Sequence, residues 1–151
     1  MGRSLGVSCK SDVIFLALAE DGELIDNEHQ RLQAPELLEE TEQLRALQDA
    51  VGRVIAETRA KAVRVLMPEL PYKGRYVTLA PRAALETIVR LAGESANVSV
   101  EVLQRSTARA RVGMPREGKF EDLIVSVIPT RVGSYWAQGR RLAAVAAIAD
   151  P

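Results

Sequence analysis

The stretch Asp12-Val13-Ile14-Phe15-Leu16-Ala17-Leu18-Ala19 is an unbroken β-branched and apolar run, closed by Glu20-Asp21-Gly22-Glu23. A run of this length without alternation predicts a buried strand, and Asp-Gly between apolar runs predicts a tight hairpin turn. Upstream, Ser4–Cys9 is a shorter apolar run and predicts a strand pairing with the first. Downstream, Leu24–Leu32 alternates weakly and includes Asp26, Asn27, Glu28 and His29, which suits a solvated strand at the sheet edge. Three consecutive strands with short connections make a meander.

Beyond it the period changes. Pro35-Glu36 opens a helix whose first turns carry Glu36, Glu39, Glu40 and Glu42, acids that favour the positive end of a helix dipole. Leu37, Leu44, Leu47, Val51, Val54 and Ile55 supply an apolar stripe, and the helix is expected to reach about Ala60. Ala62–Met67 predicts a fourth strand, and Pro68–Val77 a loop. Thr78 is placed to cap a helix over Leu79–Gly93. Val98–Leu103 alternates and predicts a fifth strand; Ser106 starts a short helix to Val112. Another short helix is expected over Lys119–Ile128, and a last one over Ser134–Ala149. The alanine-rich end of that last helix allows close approach to a sheet. The order β-β-β-α-β-α-β-α predicts an α/β fold, with a mixed five-stranded sheet and helices on both faces.

Composition bounds the function. The 151 residues fit a single domain over 1–151, and the chain is long enough to bury a core. One cysteine excludes a disulfide framework or a cysteine zinc site, and one histidine argues against Ser-His or Cys-His chemistry. No apolar run approaches the roughly 18 residues of a membrane span, and the first nine residues lack a signal-peptide core, so a cytoplasmic protein is expected. Net charge is zero, but residues 1–60 carry six basic and twelve acidic side chains, whereas residues 61–151 carry fourteen and eight. A domain polarised in this way can turn its basic side toward an anionic polymer, or pair acidic half to basic half in a homodimer.

Particular stretches resemble RuvC-type Holliday junction resolvases, within the RNase H-like fold. Leu5-Gly6-Val7-Ser8 sits where those proteins have Leu-Gly-Ile-Asp. Val63-Arg64-Val65-Leu66 sits where a strand ends in Glu, and Arg141–Ala149 sits where Asp-x-x-Asp precedes an alanine-rich helix end. The chain is also similar to a bacterial RNase H-like family of unknown function with a Gly-Val-x-x-Lys first strand and a Lys-Gly-basic segment, here Gly6–Lys10 and Lys73-Gly74-Arg75. The resemblance implies an RNase H-like fold. It also implies where a two-metal nuclease would keep the carboxylates that hold its Mg²⁺ ions. Those positions are Ser8, Leu66 (or Met67), Arg141 and Ala144, and none is acidic. The one spare acid in reach of the sheet's end is Glu69, while Asp12 lies four residues past Ser8. We therefore expect no metal site, no cofactor and no two-metal catalysis.

What remains is binding. Lys73-Gly74-Arg75 between Tyr72 and Tyr76 is a basic loop able to meet phosphates and stack bases. Arg105 and Arg109 are four apart and share a helix face, with Arg111 nearby; Arg140 and Arg141, within the last helix, are expected near the same end of the fold. Lys73, Arg75, Arg105, Arg109 and Arg141 are the candidate nucleic-acid contacts. Cys9 reads as a small core hydrophobe and His29 as a surface histidine. The expected activity is non-catalytic binding of nucleic acid or a nucleic-acid-associated protein. The alternatives are a homodimeric module meeting an acidic protein surface, and a divergent metal-dependent nuclease using Glu69.

Overall fold

The structure, a computed structural model, describes residues 2–70 and 72–151. Strands β1 (Arg3–Lys10) and β2 (Val13–Glu20) form a long antiparallel hairpin, with Cys9 opposite Ile14 and Leu5 opposite Leu18. Asp21 and Gly22 both take positive φ, the twist that the predicted Asp-Gly turn requires. The expected third strand is broken in two: β3 (Glu23–Ile25) and β4 (Arg31–Gln33) each pair with β2. Asp26 to His29 leave the ladder between them, where side chains bond the loop's own backbone, while the Gln30 carbonyl still accepts from the Leu16 amide of β2 at 3.0 Å. Asn27 Oδ1 accepts from the His29 amide, and Gln30 Nε2 donates to the Asn27 carbonyl. Strand β5 (Ala62–Leu66) runs parallel to β1, and β6 (Ser99–Leu103) parallel to β5. The sheet order is β3-β2-β1-β5-β6, with β4 also on β2, so the fold is the predicted mixed sheet with one strand more by count.

Side chains alternate across the two central strands and build two cores. Leu5, Val7, Cys9, Ile14, Leu16 and Leu18 face α1 (Glu40–Thr58) and α2 (Tyr76–Ser95). Phe15, Ala17 and Ala19 face α5 (Arg141–Ile148), α3 (Arg105–Val112) and α4 (Phe120–Leu123). The second face is built for close approach. A Cβ at Gly6 would lie 1.9 Å from the Ala143 carbonyl oxygen and 2.4 Å from the Ala147 nitrogen, so α5 rests on the backbone of β1. Buried Arg64, beside Gly6 on β5, caps α5 from below: Nη1 donates to the Ala147 carbonyl at 2.9 Å and Nη2 to Asp150.

Four helices differ in their bounds from the sequence reading. Helix α1 begins at Glu40, because Pro35 to Leu38 form a turn closed by the Leu38 amide and Glu39 is extended; Leu37 is fully exposed rather than part of the stripe. Helix α2 begins at Tyr76, ahead of Thr78, which caps nothing. The last helix starts only at Arg141. Trp136–Arg140 form a π-helical turn, and Gly139 breaks the helical geometry where a Cβ would meet the Phe15 ring at 2.6 Å. The predicted Lys119–Ile128 helix is a single turn, α4, continued as 3₁₀ over Ile124–Ser126.

Candidate functional site

Strands β1, β5 and β6 run parallel, so their carboxyl ends share one edge, the usual place for ligands in open α/β sheets. A cleft of about 320 Å³ opens there. Ser8, Cys9 and Lys10 line it at the end of β1, Ser8 buried and Lys10 exposed. Its walls are Arg82 of α2, Arg105 of α3, Glu121 of α4, residues 137–139, and Arg141 and Leu142 at the start of α5.

The four positions where the resemblance places carboxylates divide in two. Ser8 and Arg141 line this cleft. Leu66, adjacent to Ser8 by strand register, and Ala144 are fully buried in the second core. Glu69 is exposed in the loop after β5 and is not among the cleft's lining residues. Among the described residues Glu121 is the only carboxylate lining the cleft, and it is taken: Arg105 Nη1 donates to Oε1 at 3.2 Å. Among the described residues, the one grouping of three side chains able to ligate a metal is Glu28, His29 and Glu57, on a loop and helix that do not line the cleft. There His29 Nε2 lies 2.7 Å from Glu57 Oε2. His29 thus sits in the loop between β3 and β4 rather than on a strand.

The cleft's charge is set by its bases. Arg105 is anchored by Nε to the Met67 carbonyl at 3.2 Å, and Arg82 by Nη2 to the Leu66 carbonyl at 3.0 Å. Arg82 Nε also pairs with Glu86 at 3.1 Å. These two guanidiniums therefore tie α3 and α2 to the end of β5. Arg141 makes one long bond, to the Glu121 carbonyl at 3.5 Å, and exposed Lys10 makes none. Four cations face two carboxylates, Glu121 and Glu86.

Arg109, Arg111 and Arg140 are occupied within the fold. Arg105 and Arg109 do share a face, both lying over the Phe120 ring at 5.1 and 5.6 Å. Arg109, however, gives its donors to the carbonyls of Pro115, Arg116 and Gly118 and so shapes the loop after α3. Arg111 forms a bidentate pair with Glu101 at 2.7 and 2.8 Å, which holds the Glu101 carboxyl below its ordinary range. Arg140 is buried and donates to the Leu16 carbonyl at 2.8 Å and to the Val132 carbonyl; burial lowers its pKa. Lys73 and Arg75 are exposed on the loop that leaves β5, with Tyr72 folded against Gly74. The Cys9 side chain points away from the cleft into the first core, and burial pushes its thiol up to about 12. A protonated thiol of this kind is neither nucleophile nor ligand.

Of the residues singled out in the sequence, Ser8, Arg105 and Arg141 line this cleft, and Arg82, Lys10 and Glu121, which also line it, were not named as site residues. Arg82 and Glu86 were visible only as an i,i+4 pair, and nothing in the sequence brings them to the end of β5.

No family model matches the sequence, and no curated protein gives a significant match. Solved structures do match. The RuvC structure from Thermus thermophilus aligns over 97% of this chain and 92% of its own, with a TM-score of 0.73 at 14% identity. T. thermophilus RuvC in complex with a Holliday junction substrate aligns over 99% of this chain and 92% of its own, with a TM-score of 0.71 at 13% identity. This chain has the RuvC fold. The RuvC fold is RNase H-like, as the order of strands and helices implied. No helix among the described residues is long and apolar enough to cross a membrane.

Proposed function

We propose that this chain is a single, non-catalytic RNase H-like domain that binds nucleic acid through its phosphates. One observation carries the reading. At the strand ends where a two-metal nuclease needs anionic ligands, Lys10, Arg82, Arg105 and Arg141 line the cleft against one lining carboxylate. Cations there repel Mg²⁺ and attract phosphate oxygens. On this reading Lys73 and Arg75, exposed on the loop that leaves β5, add further phosphate contacts, while Arg109 holds the loop after α3. That RuvC of the same fold has been captured with a Holliday junction substrate supports nucleic acid as the anion.

Fluorescence anisotropy tests this with single-stranded, duplex and branched DNA and with RNA, at low and near-physiological salt. The reading expects binding that weakens as salt rises. Absence of binding at low salt would refute it. It would favour the second reading, a homodimer or a complex with an acidic protein surface. That alternative draws on exposed Leu70, Tyr76 and Val77 around the start of α2 and on the opposite charges of the two halves. Light scattering at low and high salt then decides, since a monomer at all salts counts against a homodimer.

A further inference from the structure

We propose that the cleft over Ser8 receives a phosphate monoester, such as the phosphorylated end of a strand, in preference to a phosphodiester within one. This rests on reading the cleft as the anion site. Ser8 is 2% exposed, and no protein group among the described residues partners its hydroxyl. The oxygen is nevertheless not sealed off: among the described residues the one occluded, unpartnered side-chain polar atom is Asn27 Nδ2. Ser8 Oγ is therefore an open donor at the bottom of a cleft rimmed by cations.

Depth and charge select the ligand. Ser8, 2% exposed, lies deep among lining residues that include Arg105 and Arg141, so an oxygen that reaches it must enter the cleft rather than rest on its surface. An internal phosphate would drag both flanking sugars down with it. A volume of about 320 Å³ lies at the small end of ligand pockets and holds one anionic group with one attached sugar. The charge count agrees. Lys10, Arg82, Arg105 and Arg141 exceed Glu86 and Glu121 by two. A monoester carries about −1.5 to −2 at pH 7 and three acceptor oxygens, where a diester carries a single charge. Arg82 and Arg105 are held by backbone carbonyls, so their remaining donors are preorganised. Arg141 and Lys10 are left to close on the ligand.

The test uses oligonucleotides of one sequence, labelled at the far end and ending in a 5′-hydroxyl, a 5′-phosphate or a 3′-phosphate. Calorimetry with a nucleoside monophosphate and with inorganic phosphate runs beside it. A phosphorylated end should bind roughly tenfold or more tighter than the hydroxyl end, equally in EDTA, since one added charge-assisted hydrogen bond contributes at least about that factor. Ser8→Ala, a small change at the floor, and Arg141→Gln should each shrink this ratio. Equal binding of all three ends would overturn the inference while leaving backbone binding standing. Monophosphate binding that is lost in Arg141→Gln, with no oligonucleotide bound, would support the phosphomonoester site and sink the nucleic-acid reading. If neither an end preference nor monophosphate binding is found, the inference is wrong.

Discussion

Gly6→Ala is the sharpest test of how this fold seats its last helix. The added Cβ would lie 1.9 Å from the Ala143 carbonyl oxygen and 2.4 Å from the Ala147 nitrogen. Both are backbone atoms of α5, so no rotamer change relieves the clash. Restoring an ordinary contact of 3.4 Å means moving the helix by about 1.5 Å. That would loosen four fully buried alanines, 143, 144, 146 and 147, and stretch the bonds from Arg64 to the end of the helix. Overpacking typically costs about 1–3 kcal/mol, and a rigid backbone obstacle belongs at or above the upper end. At about 2–4 °C per kcal/mol for a chain of this size, Tm should fall by roughly 6–12 °C. Gly52→Ala is the internal control. Its Cβ would meet nothing within 4 Å, inside α1. Replacing a helical glycine there should stabilise by about 0.5–1 kcal/mol and raise Tm. Thermal melts followed by far-UV circular dichroism read both. A Gly6→Ala melt within about 2 °C of the parent would refute the direct seating of α5 on β1.

Other predictions follow from single groups. Cys9, fully buried with its thiol near 12, should resist a thiol reagent at pH 8 in the folded protein and react at once in denaturant; rapid native labelling would contradict its placement. Arg64→Met should lower the urea midpoint by an amount equal to about 1.5–3 kcal/mol, because it removes charge-assisted caps from the last turn of α5; an unchanged midpoint would show that the caps contribute nothing. The Glu101 carboxyl is held low by its hydrogen bonds to Arg111, so the pair's stabilisation is complete above the ordinary carboxylate value near 4.5 and fades as pH falls below it. The pair is solvent-exposed, so Glu101→Gln should cost at most about 1 kcal/mol at pH 7 and flatten the acid side of the stability profile; an equal loss at pH 3 would refute the pairing. Adding Mg²⁺ or Mn²⁺ should produce no cleavage of junction or duplex DNA; metal-dependent turnover lost in Glu69→Gln would establish a nuclease instead.

The central hairpin was legible because its chemistry is local. Val13–Ala19 has no polar residue to expose, and Asp21-Gly22 suits the tight turn that closes the strand. The alanine-rich tail announced a helix packed closely on the sheet, as Ala143–Ala147 are. What the sequence hid depends on distant partners. The helix reading of Ser134–Gly139 failed because Tyr135 and Gly139 take non-helical backbone, and at Gly139 the Phe15 ring, over a hundred residues away, leaves no room for a side chain. Leu37 fits the stripe of α1 by spacing, but the turn at Pro35 stops the helix short of it. In the site, Ser8 and Arg141 were found through their places in a resembling pattern. Arg82 and Glu121 come from separate helices and meet the cleft only when the sheet is assembled. The spacing of Arg105 and Arg109 gave a shared face, which the structure sets over Phe120, yet carried no sign that the carbonyls of Pro115, Arg116 and Gly118 occupy Arg109.

The most direct test of the central claim is the salt dependence of oligonucleotide binding in the parent protein and in the Lys10→Gln/Arg141→Gln double variant. Each phosphate contact contributes about −0.9 on duplex DNA, or −0.7 on a single strand, to the slope of log K against log salt. The account predicts a steep negative slope in the parent and a slope shallower by about 1.4–1.8 in the variant, with the melting temperature kept. Binding of undiminished slope in the variant would contradict it, because the phosphates would then be held somewhere other than the cleft.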